Sequence, residues 1–174
     1  MYMVNNILMI IAQNDFRDEE FLEPKKVFES NNSKITVASV TTKEARGMLN
    51  TIVKPDIRIA DANANDYDAI VVVGGMGSKK YLWENKKLHN LLQDANNKNK
   101  IIAAICISPV VLAKSKLLTD KKCTVFNDPE SIKLISKAGG IYENKDVRVD
   151  GNIITGRDPK SAKKFGKEII KALN

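Results

Sequence analysis

Short, continuous apolar runs alternate along this chain with segments whose apolar residues recur at helical spacing. Asn6–Ala12, Ala69–Val73 (AIVVV) and Ile101–Ile105 (IIAAI) are short and almost wholly apolar. That pattern predicts strands buried on both faces. Lys34–Val40, built around Ile35, Val37 and Val40, predicts a further strand. Ala45–Ile59 mixes β-branched residues with Gly47 and Pro55, which predicts one or two short strands with turns. Cys123–Phe126 reads as another strand, and Val147–Thr155 as a two-strand piece around Asp150-Gly151.

The intervening segments read as helices. Asp18 is placed to cap one, with Glu19 and Glu20 in its first turn and Pro24 marking its start or a kink. Leu88, Leu91, Leu92 and Ala95 give Trp83–Asn97 an apolar stripe. Pro109–Lys116 places Pro at the first helical position behind Ser108 as a cap. Pro129–Ala138 is closed by Gly139-Gly140, and Ala162, Phe165, Ile169 and Leu173 mark a last helix. Strands of this kind alternating with helices predict an α/β fold with a mostly parallel sheet covered on both faces. Residues 1–174 show no repeat, linker or low-complexity stretch, so the expectation is a single domain.

Composition narrows the function. Hydrophobic residues make up 43% and charged residues 28% of the 174, as in an ordinary globular protein. No apolar run is long enough for a membrane span. The N-terminal segment lacks the basic start and cleavage site of a leader, which points to the cytoplasm. The net charge of +7 raises the question of nucleic acid. The lysines are spread over the whole chain with few aromatics among them, and Lys160, Lys163, Lys164, Lys167 and Lys171 fall on the polar side of the last helix. They read as a solvated face, so no nucleic-acid partner and no membrane are expected.

The candidate chemistry centres on Ala103-Ala104-Ile105-Cys106-Ile107-Ser108-Pro109. A buried strand ends, one polarisable side chain follows, and a helix begins at once, as in a nucleophile elbow. Such a turn lifts the sulfur above the sheet edge and aims a helix N-terminus at it, which favours thiolate. Read otherwise, Cys106 is a small buried hydrophobe. Cys123 has no turn beside it and reads as structural. Gly74-Gly75-Met76-Gly77 follows the AIVVV strand without dinucleotide-binding spacing. The N–H groups of Gly75 and Ile107 are candidates for an oxyanion hole. The single histidine, His89, falls within a predicted helix and reads as a surface residue. No His/Cys cluster has metal-ligand spacing, so neither metal nor other cofactor is expected.

Three features in order carry a family resemblance: DFRDEEFLEP after the first strand, AIVVVGG, and AAICISPVVLA, followed by an Ala-Gly-Gly segment, VDGNIITGR and a last helix. With them the chain resembles the ThiJ/PfpI superfamily, which includes intracellular-protease-like proteins, glyoxalases or deglycases, and the parkinsonism-associated protein. The resemblance implies a flavodoxin-like three-layer sandwich, a homodimer or higher homo-oligomer, and Cys106 as the reactive thiol. It also implies that Glu20, four residues before Pro24, reaches the sulfur. A protonated Glu20 lowers the thiol pKa by donating to the thiolate, and an ionised one raises it.

The chain departs from the family pattern at several positions. Ile107 stands where the protease-like branch has His, which argues against peptidase activity. Phe126-Asn127 stands where other members have His-Pro or Tyr-Pro. Asp158, next to Arg157, stands where some have His, and Arg17 where many have a second acidic residue. Arg17, Gly74, Ser108, Arg157 and Asp158 are therefore possible neighbours of the site. Two functions follow. One is a cofactor-independent cysteine enzyme acting on small carbonyl compounds such as methylglyoxal. The other is a redox sensor or stress-responsive chaperone that works by oxidation of Cys106.

Overall fold

The computed structural model describes residues 3–174; Met1 and Tyr2, which belong to the leader reading above, lie outside them. In chain order the elements are β1 (Asn6–Ile10), β2 (Asn14–Phe16), α1 (Asp18–Ser30), β3 (Lys34–Ser39), β4 (Ala45–Gly47), β5 (Ile52–Val53), β6 (Ile57–Arg58) and β7 (Ala69–Val72). After them come α2 (Gly77–Tyr81), α3 (Lys86–Asn97), β8 (Ile101–Ile105), α4 (Pro109–Lys114), β9 (Lys122–Cys123) and α5 (Pro129–Lys137). The chain ends with β10 (Ile141–Tyr142), β11 (Val147–Asp150), β12 (Ile153–Gly156) and α6 (Ala162–Leu173).

Seven strands form the central sheet in the order β11-β12-β8-β7-β1-β3-β6. All pair in parallel except β11, which runs antiparallel to β12. The apolar runs become the middle of this sheet. Ile7–Ile10, Ala69–Val72 and Ile102–Ile105 are fully buried, because helices cover both faces. α1 and α6 pack together on one face, where Gly166 lies so close to Pro24 that a Cβ would come within 2.9 Å of its Cα. α3 and α4 pack together against β8. From β1 the chain builds β3 and β6 on one side, then returns to build β7 and β8 on the other. The reversal beside β1 opens a crevice at the carboxyl ends of the strands, where ligands bind in open α/β sheets.

Several elements differ from the sequence reading. Asp18 does not cap α1. It is the first helical residue, and its carboxylate instead accepts the N–H groups of Leu49 (2.7 Å) and Thr51 (2.8 Å). Pro24 lies within α1 and leaves the Glu20 carbonyl without its intrahelical donor. Asn85 caps α3 by accepting from the N–H of Leu88, so that helix starts after Trp83. Cys123–Phe126 is not a strand of the main sheet. Only Lys122–Cys123 is extended, paired in a small separate sheet with β10. Ala45–Ile59 supplies three short strands, two of them the β4–β5 hairpin.

Candidate functional site

Cys106 directly follows β8 and precedes α4 with φ +66°, a left-handed conformation that costs a non-glycine residue about 1–3 kcal/mol. The elbow is thus present as backbone geometry. Its surroundings hold it in place. The Cys106 N–H donates to Gly156 (3.0 Å), and its carbonyl accepts from the N–H of Phe126 (2.7 Å). Pro109 occupies the first turn of α4, but Ser108 makes no capping bond. Its buried hydroxyl instead donates to the Val73 carbonyl (2.7 Å) and lies 2.8 Å from the Ser78 hydroxyl. This ties the elbow to the loop after β7. The indole N–H of Trp83 adds a second tie, donating to the Ile107 carbonyl (3.0 Å).

The sulfur opens into a cavity of about 100 Å3. Arg17, Glu20, Gly75, Cys106 and Ile107 line it, together with four residues not singled out as site residues by the sequence: Met48, Met76, Phe126 and Pro159. The nine come from the β2–α1 junction and the first turn of α1, from the loops after β4, β7, β8 and β12, and from the segment after β9. No local pattern in the sequence marks their convergence. A wider cleft of about 490 Å3 shares Arg17, Phe126 and Pro159 with the cavity and adds Glu19, Asp158 and Lys160.

Glu20 is fully buried, and neither carboxyl oxygen has a hydrogen-bond partner. Burial pushes its carboxyl up to about 8. It reaches Cys106 across Gly74, where a Cβ would sit 2.2 Å from Glu20 Oε2 and 2.4 Å from Cys106 Cβ. Gly74 is therefore required by close approach.

Burial pushes the Cys106 thiol up, and an ionised Glu20 pushes it further in the same direction. The N–H groups of Gly75 and Ile107 lie near enough to the sulfur to pull it down. The helix-terminus argument for a thiolate was therefore incomplete: desolvation opposes it and is the larger effect. Glu20 and Cys106 act on each other's titration, so the first proton lost belongs to the pair.

The remaining candidates divide. Arg17 lines the cavity, but its guanidinium is engaged with both Glu19 oxygens (2.7 and 3.0 Å). Asp158 belongs to the outer cleft and accepts from Ser161 and Arg157. Burial alone would raise its carboxyl, and those bonds outweigh burial and lower it. Arg157 is outside both walls, held by Asn144, Asp146 and Asp158. His89 is not a surface residue: it is 4% exposed, and its Nε2 lies 2.8 Å from the Trp83 carbonyl. Cys123 is fully buried, and burial pushes its thiol up to about 11. Among the described residues, no three His, Cys, Asp or Glu side chains converge as a metal site requires. No helix among them is long and apolar enough to cross a membrane.

A parallel sheet with a cysteine on a left-handed strand-to-helix turn, facing a buried glutamate, defines a flavodoxin-like protein of the elbow-cysteine class. The chain belongs to the DJ-1/PfpI family, whose model matches residues 5–172. It is 52% identical over 167 residues to an uncharacterized protein of Methanocaldococcus jannaschii, covering 96% of this chain and 82% of that one. It is 29% identical to protein dj-1beta of Drosophila melanogaster, covering 98% and 90%. The crystal structure of a ThiJ/PfpI domain protein from Brachyspira murdochii superposes with a TM-score of 0.94 at 31% identity, covering 99% of this chain and 98% of that one. Drosophila DJ-1beta superposes at 0.85 with 28% identity, covering 98% and 91%.

Proposed function

We propose that this chain uses Cys106 as a nucleophile towards small reactive carbonyl compounds, with methylglyoxal as the model substrate. One observation carries the reading: the sulfur, two backbone N–H groups and a buried carboxyl that still holds its proton near neutral pH all face one small cavity. Two N–H groups, those of Gly75 and Ile107, favour charge on the sulfur, whereas the carboxyl oxygens of Glu20 have no hydrogen-bond partner. Cys106, 8% exposed, is also less buried than Glu20. In this reading the form that reacts is the one with the charge on sulfur and the proton on Glu20, a minority form that the Gly75 and Ile107 N–H groups make accessible against the burial of the sulfur. The thiolate adds to the carbonyl carbon, and the displaced electron pair goes to oxygen. That oxygen takes the Glu20 proton and rests against the Gly75 and Ile107 N–H groups as a hemithioacetal. The volume equals about three waters at about 30 Å3 each, which suits a substrate of few heavy atoms.

Peptide hydrolysis is a poor fit. Ile107 offers no base, and the only histidine is held by the Trp83 carbonyl. The test is turnover of methylglyoxal by the purified chain and by Cys106→Ser. Loss of turnover in the variant supports the reading. Equal turnover in both, or efficient casein cleavage by the unaltered chain, refutes it.

The same donors favour a second reading, in which peroxide converts the thiolate to a sulfenic and then a sulfinic acid whose oxygens occupy the cavity. Mass spectrometry that finds oxygen added at Cys106 under mild peroxide, in a chain with no carbonyl turnover, selects it.

A further inference from the structure

We propose that Arg17 and Phe126 are positioning residues that act through their backbone N–H groups, each fixing the peptide plane that aims a donor at the Cys106 sulfur. The inference rests on the reading of Cys106 as the working thiol and goes beyond it by assigning what orients its two donors.

The Gly75 N–H shares a peptide unit with the Gly74 carbonyl, and the Ile107 N–H shares one with the Cys106 carbonyl. No peptide bond among the described residues is cis, so in each unit the carbonyl and the N–H point in opposite directions. The Arg17 N–H donates to the Gly74 carbonyl (2.9 Å), and the Phe126 N–H donates to the Cys106 carbonyl (2.7 Å). Holding each carbonyl from behind turns its N–H forward to the sulfur. Neither the Gly75 nor the Ile107 N–H donates to another backbone group among the described residues.

Both peptides have reason to need an anchor. Cys106 has φ +66°, uncommon for a residue with a side chain, and Gly75 has φ +105°, where a glycine's freedom leaves the plane unset without a partner. The contact at Arg17 is also tight: a Cβ on Gly75 would lie 2.4 Å from the Arg17 nitrogen. Arg17 and Phe126 thus serve twice, as walls by their side chains and as anchors by their backbones. The junction after β2 and the segment after β9, remote in sequence, set the two donors.

The test replaces residue 17 or 126 by its α-hydroxy analogue in a Cys123→Ser background. The resulting ester keeps the side chain and deletes only the N–H. The pH dependence of Cys106 alkylation is then measured. Each ester is expected to raise the midpoint by about one unit, a tenfold slower alkylation below it. A folded ester with an unchanged midpoint overturns the proposal.

If an ester does not fold, the unmodified chain decides. The Gly75 and Ile107 amide resonances should move together with the Cys106 titration, and the Arg17 and Phe126 amides should exchange slowly. Static resonances, or fast exchange at residues 17 and 126, overturn it. A wild-type midpoint at or above about 8.5 counts against the nucleophile reading instead, because the resonance and exchange data still judge the positioning claim.

Discussion

Gly74 lies so close to the Glu20 carboxyl that any side chain there would stand 2.2 Å from Oε2. On its other side a Cβ would meet Cys106 Cβ at 2.4 Å and the Ile105 carbonyl at 2.7 Å, so it has nowhere to go. The clash comes from space, since Gly74 is not among the residues at positive φ. Gly74→Ala is expected to drive the carboxyl away from the sulfur and to cost about 1–3 kcal/mol through overpacking. Urea denaturation measures the cost. A fully stable variant with unchanged Cys106 alkylation would show that the two side chains do not need this approach.

The buried carboxyl also makes stability depend on pH in a direction unusual for a glutamate. Burial raises Glu20 from an ordinary value near 4.5 to about 8. Between those values the folded chain holds a proton that the unfolded chain has lost. Stability is therefore full below the unfolded value and falls as pH rises through the folded one, by up to about 1.4 kcal/mol per unit. His89 works oppositely, because burial lowers it and its contribution is lost as pH falls. Comparing the chain with Glu20→Gln cancels the histidine. The difference in denaturation free energy should grow in favour of Gln from pH 5 to pH 8, and a pH-independent difference would mean that Glu20 is ionised throughout.

Much of this arrangement was legible in the sequence. IIAAI followed by Cys, Ile, Ser and Pro specifies a buried strand, a turn and a helix start within nine residues of one another, so local rules suffice. What those rules missed is long-range. Asp18 has the composition of a cap, yet its acceptors are used by Leu49 and Thr51, more than thirty positions away. Ser108 likewise satisfies the Val73 carbonyl rather than its own helix. His89 is buried because the Trp83 carbonyl gives its ring nitrogen a partner. Met48, Met76, Phe126 and Pro159 come from four different loops, and only the folded sheet edge makes them one wall.

The two cysteines should differ sharply in reactivity. Cys123 is fully buried, its sulfur sits 3.8 Å from the Ile141 carbonyl, and it lines neither the cavity at Cys106 nor the outer cleft. Both thiols are raised by burial, so access decides the order, and iodoacetamide at pH 8 should leave Cys123 unmodified until the chain unfolds. Cys106 opens into the cavity and should react first. Peptide mapping after timed alkylation checks the order, and equal labelling of both would show that burial does not protect Cys123.

Asp18 links the stability of the fold to the shape of the site. Its carboxylate is buried, yet the pKa lies below the usual value: burial pushes it up, and the bonds from Thr51 and Leu49 more than offset that. Those two bonds hold the β4–β5 turn, which carries Met48 into the cavity wall. Gly47 is packed against the same carboxylate, since a Cβ there would lie 2.5 Å from it. Asp18→Ala deletes both acceptors, leaves two N–H groups unpaired and empties the space beside Gly47. The expected cost is about 2–4 kcal/mol, counting charge-assisted bonds at about 1.5–3 kcal/mol each with partial rescue by water. Because the folded pKa is depressed, this stabilisation is present above the unfolded value and is lost as pH falls through the folded one. The variant should therefore lose most relative to the unaltered chain at neutral pH and least near pH 2. Limited proteolysis should cut it first between residues 47 and 54. A variant as stable as the parent at pH 7, with that turn still protected, would show that the β4–β5 hairpin is held by its own pairing and not by Asp18.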